Sequence, residues 1–158
     1  MTGETSGRGA SARPTAVLAE GDLPPRQEVQ DRVTIQMPAE GAYLSVLRTA
    51  TAGLAARLDF TLDEIEDLRI AVDEACAMLL PQAIPGTNLE CSFDLGAETM
   101  TITVSVAAAQ PRKPARDTFA WTVLSALAGT VDSRLGPDDH VAIVLRKHRE
   151  TVSESGSG

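Results

Sequence analysis

The residues whose types could support chemistry are concentrated in one acidic stretch, Asp63–Met78. Within it, Glu74 and Met78 stand four residues apart, so in a helix their side chains share one face. The thioether of Met78 is a poor ligand for a hard cation, which takes oxygen donors. Four acids at the start of the stretch are most simply explained as a solvated helix face that the helix dipole stabilises: Asp63, Glu64, Glu66 and Asp67.

The remaining nucleophiles and metal ligands do not form a recognisable site. Cys76 falls on an apolar helix face and Cys91 in an alternating strand, and they form no CxxC pair, so we expect buried, free thiols. His140 and His148 lack Cys, His or acid neighbours at metal-ligand spacing, which predicts structural roles for both. No Ser-His-Asp set or Cys-His pair can be argued from these positions.

Composition excludes two classes of partner. The chain has 158 residues, a formal net charge of −8 and no basic run, so direct binding to nucleic acid is not expected. It has no apolar run long enough to span a membrane and no apolar region of a signal peptide near its start. The sequence therefore predicts a cytoplasmic protein that meets other proteins rather than a membrane.

The chain divides into one domain with a flexible segment at each end. Residues 1–30 are rich in Gly, Ser, Pro and isolated charges and are predicted to be disordered, because they cannot bury enough apolar area to offset their ordering entropy. Residues 150–158 are similarly predicted to be a flexible tail. Residues 31–149 carry the periodic apolar patterns of a folded domain.

The elements that must position the acidic stretch follow from periodicity. A strand over residues 33–37 precedes a first helix over residues 43–58. Thr61 and Glu64 match a capping box and start a second helix that runs to about Gln82. Alternation then predicts a hairpin over residues 89–106, with its turn at Gly96–Glu98.

A third helix begins at Asp117 or Thr118 and ends at Gly129, and Trp121 belongs to the core or to the floor of a pocket. Two final strands flank Gly136–Pro137. The order β-α-α-β-β-α-β-β predicts an α+β fold. We expect a two-layer α/β sandwich with a mixed, mostly antiparallel sheet of four to five strands and three helices on one face.

The stretch from Asp63 to Cys76 resembles the anti-sigma regulatory factor family, the serine-protein kinases of bacterial stress-response and sporulation switches. That family belongs to the histidine kinase-like ATPase superfamily. The resemblance runs without a gap over residues 33–80 and more weakly from residue 119 onward. It implies that Glu74 is a vestigial general base and that Met78 occupies the position of a Mg²⁺-binding Asn. Arg48 matches a family arginine that contacts partner proteins, although a solvated surface arginine explains it equally well.

The nucleotide-binding motifs of that family are degenerate here. The segment expected to supply an adenine-binding Asp and glycines, residues 106–111, contains neither an acid nor a glycine. Residues 115–121 replace a second glycine-rich box, and the lid between the two is only about ten residues long. No cofactor-binding residue or metal ligand is therefore predicted; ATP and magnesium would be cofactors only if kinase activity is retained.

Three functions follow as hypotheses. The resemblance implies an anti-sigma factor that sequesters an alternative sigma factor and is released by an anti-anti-sigma partner, with weak or lost ATP binding. The alternative is an active ATP-dependent serine kinase that phosphorylates the anti-anti-sigma factor. A scaffold that binds neither protein is the third. The resemblance also implies a homodimer formed through the side of the sheet.

Overall fold

Five β-strands form one sheet, with three α-helices packed on one of its faces, in the computed structural model, which describes residues 31–150. The predicted segment 1–30 and the predicted tail 150–158, apart from Glu150, lie outside the described residues. The strands and helices are β1 Asp31–Pro38, α1 Leu44–Arg57, α2 Leu62–Leu79, β2 Asn88–Leu95, β3 Thr99–Ala107, α3 Phe119–Ala128, β4 Thr130–Gly136 and β5 His140–His148.

The strand order is β1-β2-β3-β5-β4, and every neighbouring pair is antiparallel. The predicted α+β sandwich is confirmed, but the parallel component of a mixed sheet is absent from residues 31–150. Two tight hairpins join β2 to β3 and β4 to β5 and impose antiparallel pairing. One helix between two strands would return the chain for parallel pairing. Between β1 and β2 there are two helices, α1 and α2, so β2 runs antiparallel to β1.

Helix α2 lies at the centre of the helical layer and contacts α1, α3, β3 and β5. Its start follows the predicted capping box: the Thr61 hydroxyl accepts a hydrogen bond from the Glu64 N–H at 3.1 Å. In return, Glu64 Oε1 accepts one from the Thr61 N–H at 2.8 Å. The apolar stripe of the helix is fully buried: Leu68, Ala71, Val72, Ala75, Cys76 and Leu79.

The stripe packs against the inner face of the sheet, where alternate residues of β2 and β3 and the consecutive residues 141–145 of β5 are buried. Cys76 and Cys91 meet this core from opposite layers, and both are free and completely buried, as predicted. Burial raises the pKa of the Cys76 thiol to about 12, so it stays protonated. The sequence correctly assigned both cysteines to packing.

Helix α3 is fixed at both ends by local signals. Thr118, one of the two predicted caps, accepts a hydrogen bond from the Trp121 N–H at 3.1 Å. Gly129 ends the helix with φ +84°, and a Cβ there would lie 3.0 Å from the Arg146 carbonyl oxygen. Trp121 is buried in the core cluster, the first of its two predicted locations.

The solvated acidic face predicted for the start of α2 is wrong for Glu64, whose exposed fraction is only 3%. Its second oxygen, Oε2, accepts a hydrogen bond from the Glu150 N–H at 2.8 Å, across 86 residues of sequence. Burial raises the pKa of this carboxyl, but hydrogen bonds from Thr61 and Glu150 and the charge of Lys147 lower it more. The net pKa lies below the usual 4.5.

We expect Glu64→Gln to lower the free energy of unfolding at pH 7 by about 1–2 kcal/mol, because an amide has one acceptor for the two N–H groups. The pKa of Glu64 is lowered on folding, so its charge stabilises the protein above pH 4.5 and stops doing so as the pH falls through the lower folded-state value. The decrease in the free energy of unfolding caused by Glu64→Gln should therefore become smaller toward pH 3, and urea unfolding at a series of pH values measures it.

Glu66→Gln is the matched control, since the Glu66 side chain is 58% exposed and pairs, among residues 31–150, only with Arg69. This change should cost at most about 0.5 kcal/mol. Equal losses for the two variants, or a Glu64→Gln loss that does not depend on pH, would contradict the role given to Glu64.

Candidate functional site on the helical face

Arg48 on α1 is held by Asp73 on α2. Its Nη1 atom lies 3.0 Å from Asp73 Oδ2 and 3.1 Å from Asp73 Oδ1, so both carboxylate oxygens accept from the same nitrogen. The two side chains are 37% and 35% exposed. The other guanidinium N–H groups of Arg48 have no acceptor within residues 31–150, which leaves them available at the surface.

Glu74 points to a different side of α2 from Asp73, because successive helical residues are about 100° apart. Asp67, seven residues earlier, has nearly the same orientation as Glu74 and lies 3.9 Å from Lys147 Nζ. Lys147 in turn donates to the Leu127 carbonyl near the end of α3. Arg48 therefore lies on the α1 side of α2 and Glu74 on the α3 side, and the fold does not bring them together.

Met78 lies one turn after Glu74, partly buried, and its side chain packs against the hydrophobic core. Glu74 itself is half-buried and makes no hydrogen bond or ion pair within residues 31–150. A partly buried thioether beside a single carboxylate does not fit Mg²⁺, which takes several oxygen ligands. In the described part of the chain, no three His, Cys, Asp or Glu side chains lie together as a metal site.

Residues 108–118, named here the strap, connect β3 to α3 where the resemblance predicts a nucleotide lid. The Gln82 side chain holds the strap by two hydrogen bonds: Oε1 accepts from the Arg112 N–H at 3.0 Å, and Nε2 donates to the Arg112 carbonyl at 2.9 Å. At its start, the Ala108 N–H donates to the Asp139 carbonyl at 2.9 Å. The strap is thus fastened to the neighbouring loops.

The end of the strap is held by Arg116. Its guanidinium lies 5.0 Å from the centre of the Trp121 ring and donates to Asp132 Oδ1 at 2.9 Å. The strap contains no glycine to approach phosphates. Its one acid, Asp117, does not lie where the resemblance requires an adenine-binding Asp. The residues present therefore do not fit ATP with Mg²⁺.

A cavity of about 320 Å³ lies away from these residues, on the open face of the sheet. Its lining includes Glu90, Ser105, Ala142 and Arg134, which form one row across β2, β3, β5 and β4. Small residues in the middle of the row leave the gap between the two charged side chains. His140 lines the same cavity, and its Nδ1 lies 3.0 Å from the Asp138 carbonyl oxygen.

Comparison with known proteins identifies relatives of this chain. No model of a protein family matches the sequence. The chain is 32% identical over 122 residues to anti-sigma-F factor RsbW of Mycobacterium tuberculosis strain H37Rv, and the match covers 76% of this chain and 73% of that protein. The chain belongs to the RsbW anti-sigma factor family.

Serine-protein kinase RsbW of Bacillus subtilis strain 168 is a further relative in the RsbW family, 37% identical over 78 residues. That match covers 49% of each protein. A crystal structure of the RsbU and RsbW domains of a Mycobacterium tuberculosis protein shares the fold, with a TM-score of 0.60 and 12% identity. The structural match covers 76% of this chain and 33% of the chain in the crystal structure. The predicted family is confirmed.

Sequence reasoning missed three contacts in this member of the RsbW family. The partner of Arg48, the clamp from Gln82 to Arg112 and the bond from Glu64 to Glu150 each join distant parts of the chain. Glu64 carried the only sequence signal, the capping box, and that signal accounts for just one of its two oxygens.

No helix within residues 31–150 combines the length and apolar character needed to cross a membrane.

We expect calorimetric titration with Mg²⁺ and ATP to show no saturable binding up to about 1 mM, a limit that corresponds to roughly −4 kcal/mol. Met78→Asn should not create binding, because residues 106–111 still lack the adenine-binding acid and the glycines. The same change should lower the free energy of unfolding by about 1–3 kcal/mol, since it places an amide against apolar neighbours. Saturable ATP binding that Glu74→Ala abolishes would establish a nucleotide site instead.

Proposed function

We propose that this protein is an anti-sigma factor that binds an alternative sigma factor in the cytoplasm and keeps it from RNA polymerase. The observation that carries the proposal is the similarity to anti-sigma-F factor RsbW, which extends over about three quarters of both chains. The proposal needs only a folded binding surface, so the missing nucleotide motifs do not weaken it. Release then follows from competition by an anti-anti-sigma protein.

The surface that we assign to the sigma factor is the α1–α2 face around Arg48. Asp73 holds one edge of the guanidinium and leaves the others free, so less side-chain entropy is lost when a partner binds. Ile70, one turn before Asp73 on α2, is 41% exposed and provides apolar area beside the charge. Arginine next to apolar area is typical of residues that dominate binding energy.

Exchange of partners is set by competing affinities in this proposal. Glu74 is the feature that would favour a kinase. However, the residue one turn later, Met78, offers no oxygen ligand for Mg²⁺, and the strap has no glycine that would let its backbone approach phosphates. Phosphoryl transfer depends chiefly on positioning and charge stabilisation of the phosphates, which a lone carboxylate does not supply. The concentrations of the sigma factor and its competitor would then decide which complex forms.

We expect the tagged protein to retain a sigma factor from a lysate of its source cells, identified by mass spectrometry, and Arg48→Ala to weaken binding of that purified sigma factor at least tenfold. Asp73→Asn should weaken it less, because Arg48 remains but is no longer held. The Arg48–Asp73 ion pair is partly exposed and should contribute about 1 kcal/mol or less to folding, so both variants should stay folded.

Arg57→Ala is the control, because Arg57 is exposed at the end of α1 and makes no ion pair within residues 31–150. Its affinity for the sigma factor should equal that of the unchanged protein. Failure to retain any sigma factor would refute the proposed function. Retention with unchanged affinity in Arg48→Ala would instead remove only Arg48 from the interface.

We further propose a homodimer formed through the open face of the sheet. Glu90 and Arg134 lie on this face on opposite sides of the cavity, and neither makes an ion pair within the described residues. A two-fold axis would place Arg134 of one copy near Glu90 of the other and generate the same contact twice. The uncovered sheet supplies the surrounding area.

We expect light scattering after size exclusion to give a dimer mass for the unchanged protein and a monomer mass for Arg134→Glu, in which two acids would face each other. Arg57→Glu, on the opposite side of the molecule, should remain dimeric and so controls for the change in net charge. A monomer mass for the unchanged protein, or a dimer mass for Arg134→Glu, would contradict this arrangement.

A further inference from the structure

The strap carries a concentration of positive charge in a protein whose formal net charge is −8. Its side chains include Arg112, Lys113 and Arg116 against a single acid, Asp117. Arg116 is neutralised by Asp132 at 2.9 Å. Arg112 and Lys113 are exposed, and no carboxylate oxygen of residues 31–150 lies within ion-pair distance of either. Two adjacent cations are therefore left without an ion pair in the described part of the chain, although Lys113 lies close enough to Asp132 for its charge to help lower the pKa of that carboxyl.

The backbone under these cations is fixed. Gln82 bonds both the N–H and the carbonyl of Arg112, and so the main chain cannot rotate there without breaking two hydrogen bonds. Arg116 anchors the other end against Trp121 and Asp132. A fixed backbone lowers the entropy that a surface loses on binding. None of the side-chain atoms of Arg112 or Lys113 takes part in these contacts.

Exposed apolar side chains flank the strap at both ends. Ile84 is 36% exposed, and its N–H donates to the carbonyl of Ala107, the residue before the strap. Phe119, directly after the strap, is 82% exposed. Large apolar side chains at the margin of a charged surface offer anchors for a protein partner.

We propose that the strap is a docking surface for an acidic segment of a partner protein, one that places carboxylates on Arg112 and Lys113 and an apolar side chain on Phe119 or Ile84. This surface is separate from Arg48 on the α1–α2 face and does not require the anti-sigma function. Nucleic acid is disfavoured as the occupant, because two free cations release few counterions and the rest of the protein is acidic.

The test uses a fluorescein-labelled peptide of about twelve residues, rich in Asp and Glu with two Leu residues, and fluorescence anisotropy with the full chain. We expect Arg112→Ala combined with Lys113→Ala to weaken binding about tenfold or more. Gln82→Ala should weaken it about threefold, by releasing the backbone. Binding by the unchanged protein should fall with added salt.

The matched control combines Arg57→Ala with Arg146→Ala, two exposed arginines without ion pairs elsewhere in the described chain. This variant should bind the peptide as the unchanged protein does. Amide shifts in an NMR titration should fall on residues 82–84 and 108–120. Equal weakening by the control, shifts centred on another surface, tighter binding to a labelled single-stranded oligonucleotide, or no binding of the peptide at all would overturn the proposal.

Discussion

The carboxylate of Glu64 fixes the place where the helical layer meets the end of the sheet. One oxygen caps α2 at Thr61, and the other holds the chain at Glu150, just after β5. Because α2 contacts both other helices and two strands, its position determines where their side chains lie. A buried carboxylate is tolerated there because backbone N–H groups satisfy both oxygens, which compensates for the loss of water.

The two faces of the molecule are suited to different partners. On the helical face, Asp73 holds the guanidinium of Arg48, whereas in the strap Gln82 holds the backbone that carries Arg112. The open sheet face instead carries hydroxyls and charges of both signs around a cavity. Antiparallel sheets commonly leave one face to solvent or to another subunit, while the other face forms the core.

Local signals predicted most of the fold. Alternation identified β2 and β3, and the Thr61–Glu64 spacing identified the start of α2, because these features depend on neighbouring residues. The antiparallel arrangement of the whole sheet depends on how two helices return the chain, which periodicity does not encode. The positions of Arg48, Glu74 and Met78 on helices were predictable, but the pairing of Arg48 with Asp73 and the clamp at Gln82 join residues 25 and 30 positions apart.

The two hydrogen bonds between the Gln82 side chain and the Arg112 backbone also affect how the protein could exchange its partners. A lid that opens and closes with nucleotide can couple hydrolysis to a conformational cycle, so that the complex is driven in one direction. The side-chain amide of Gln82 bonds both the N–H and the carbonyl of Arg112, as a neighbouring strand would. It therefore holds the strap in one conformation and opposes such a cycle. Under the proposed release by competition, regulation would obey mass action alone: it would be reversible, would need no nucleotide and would follow the synthesis and degradation of the partners.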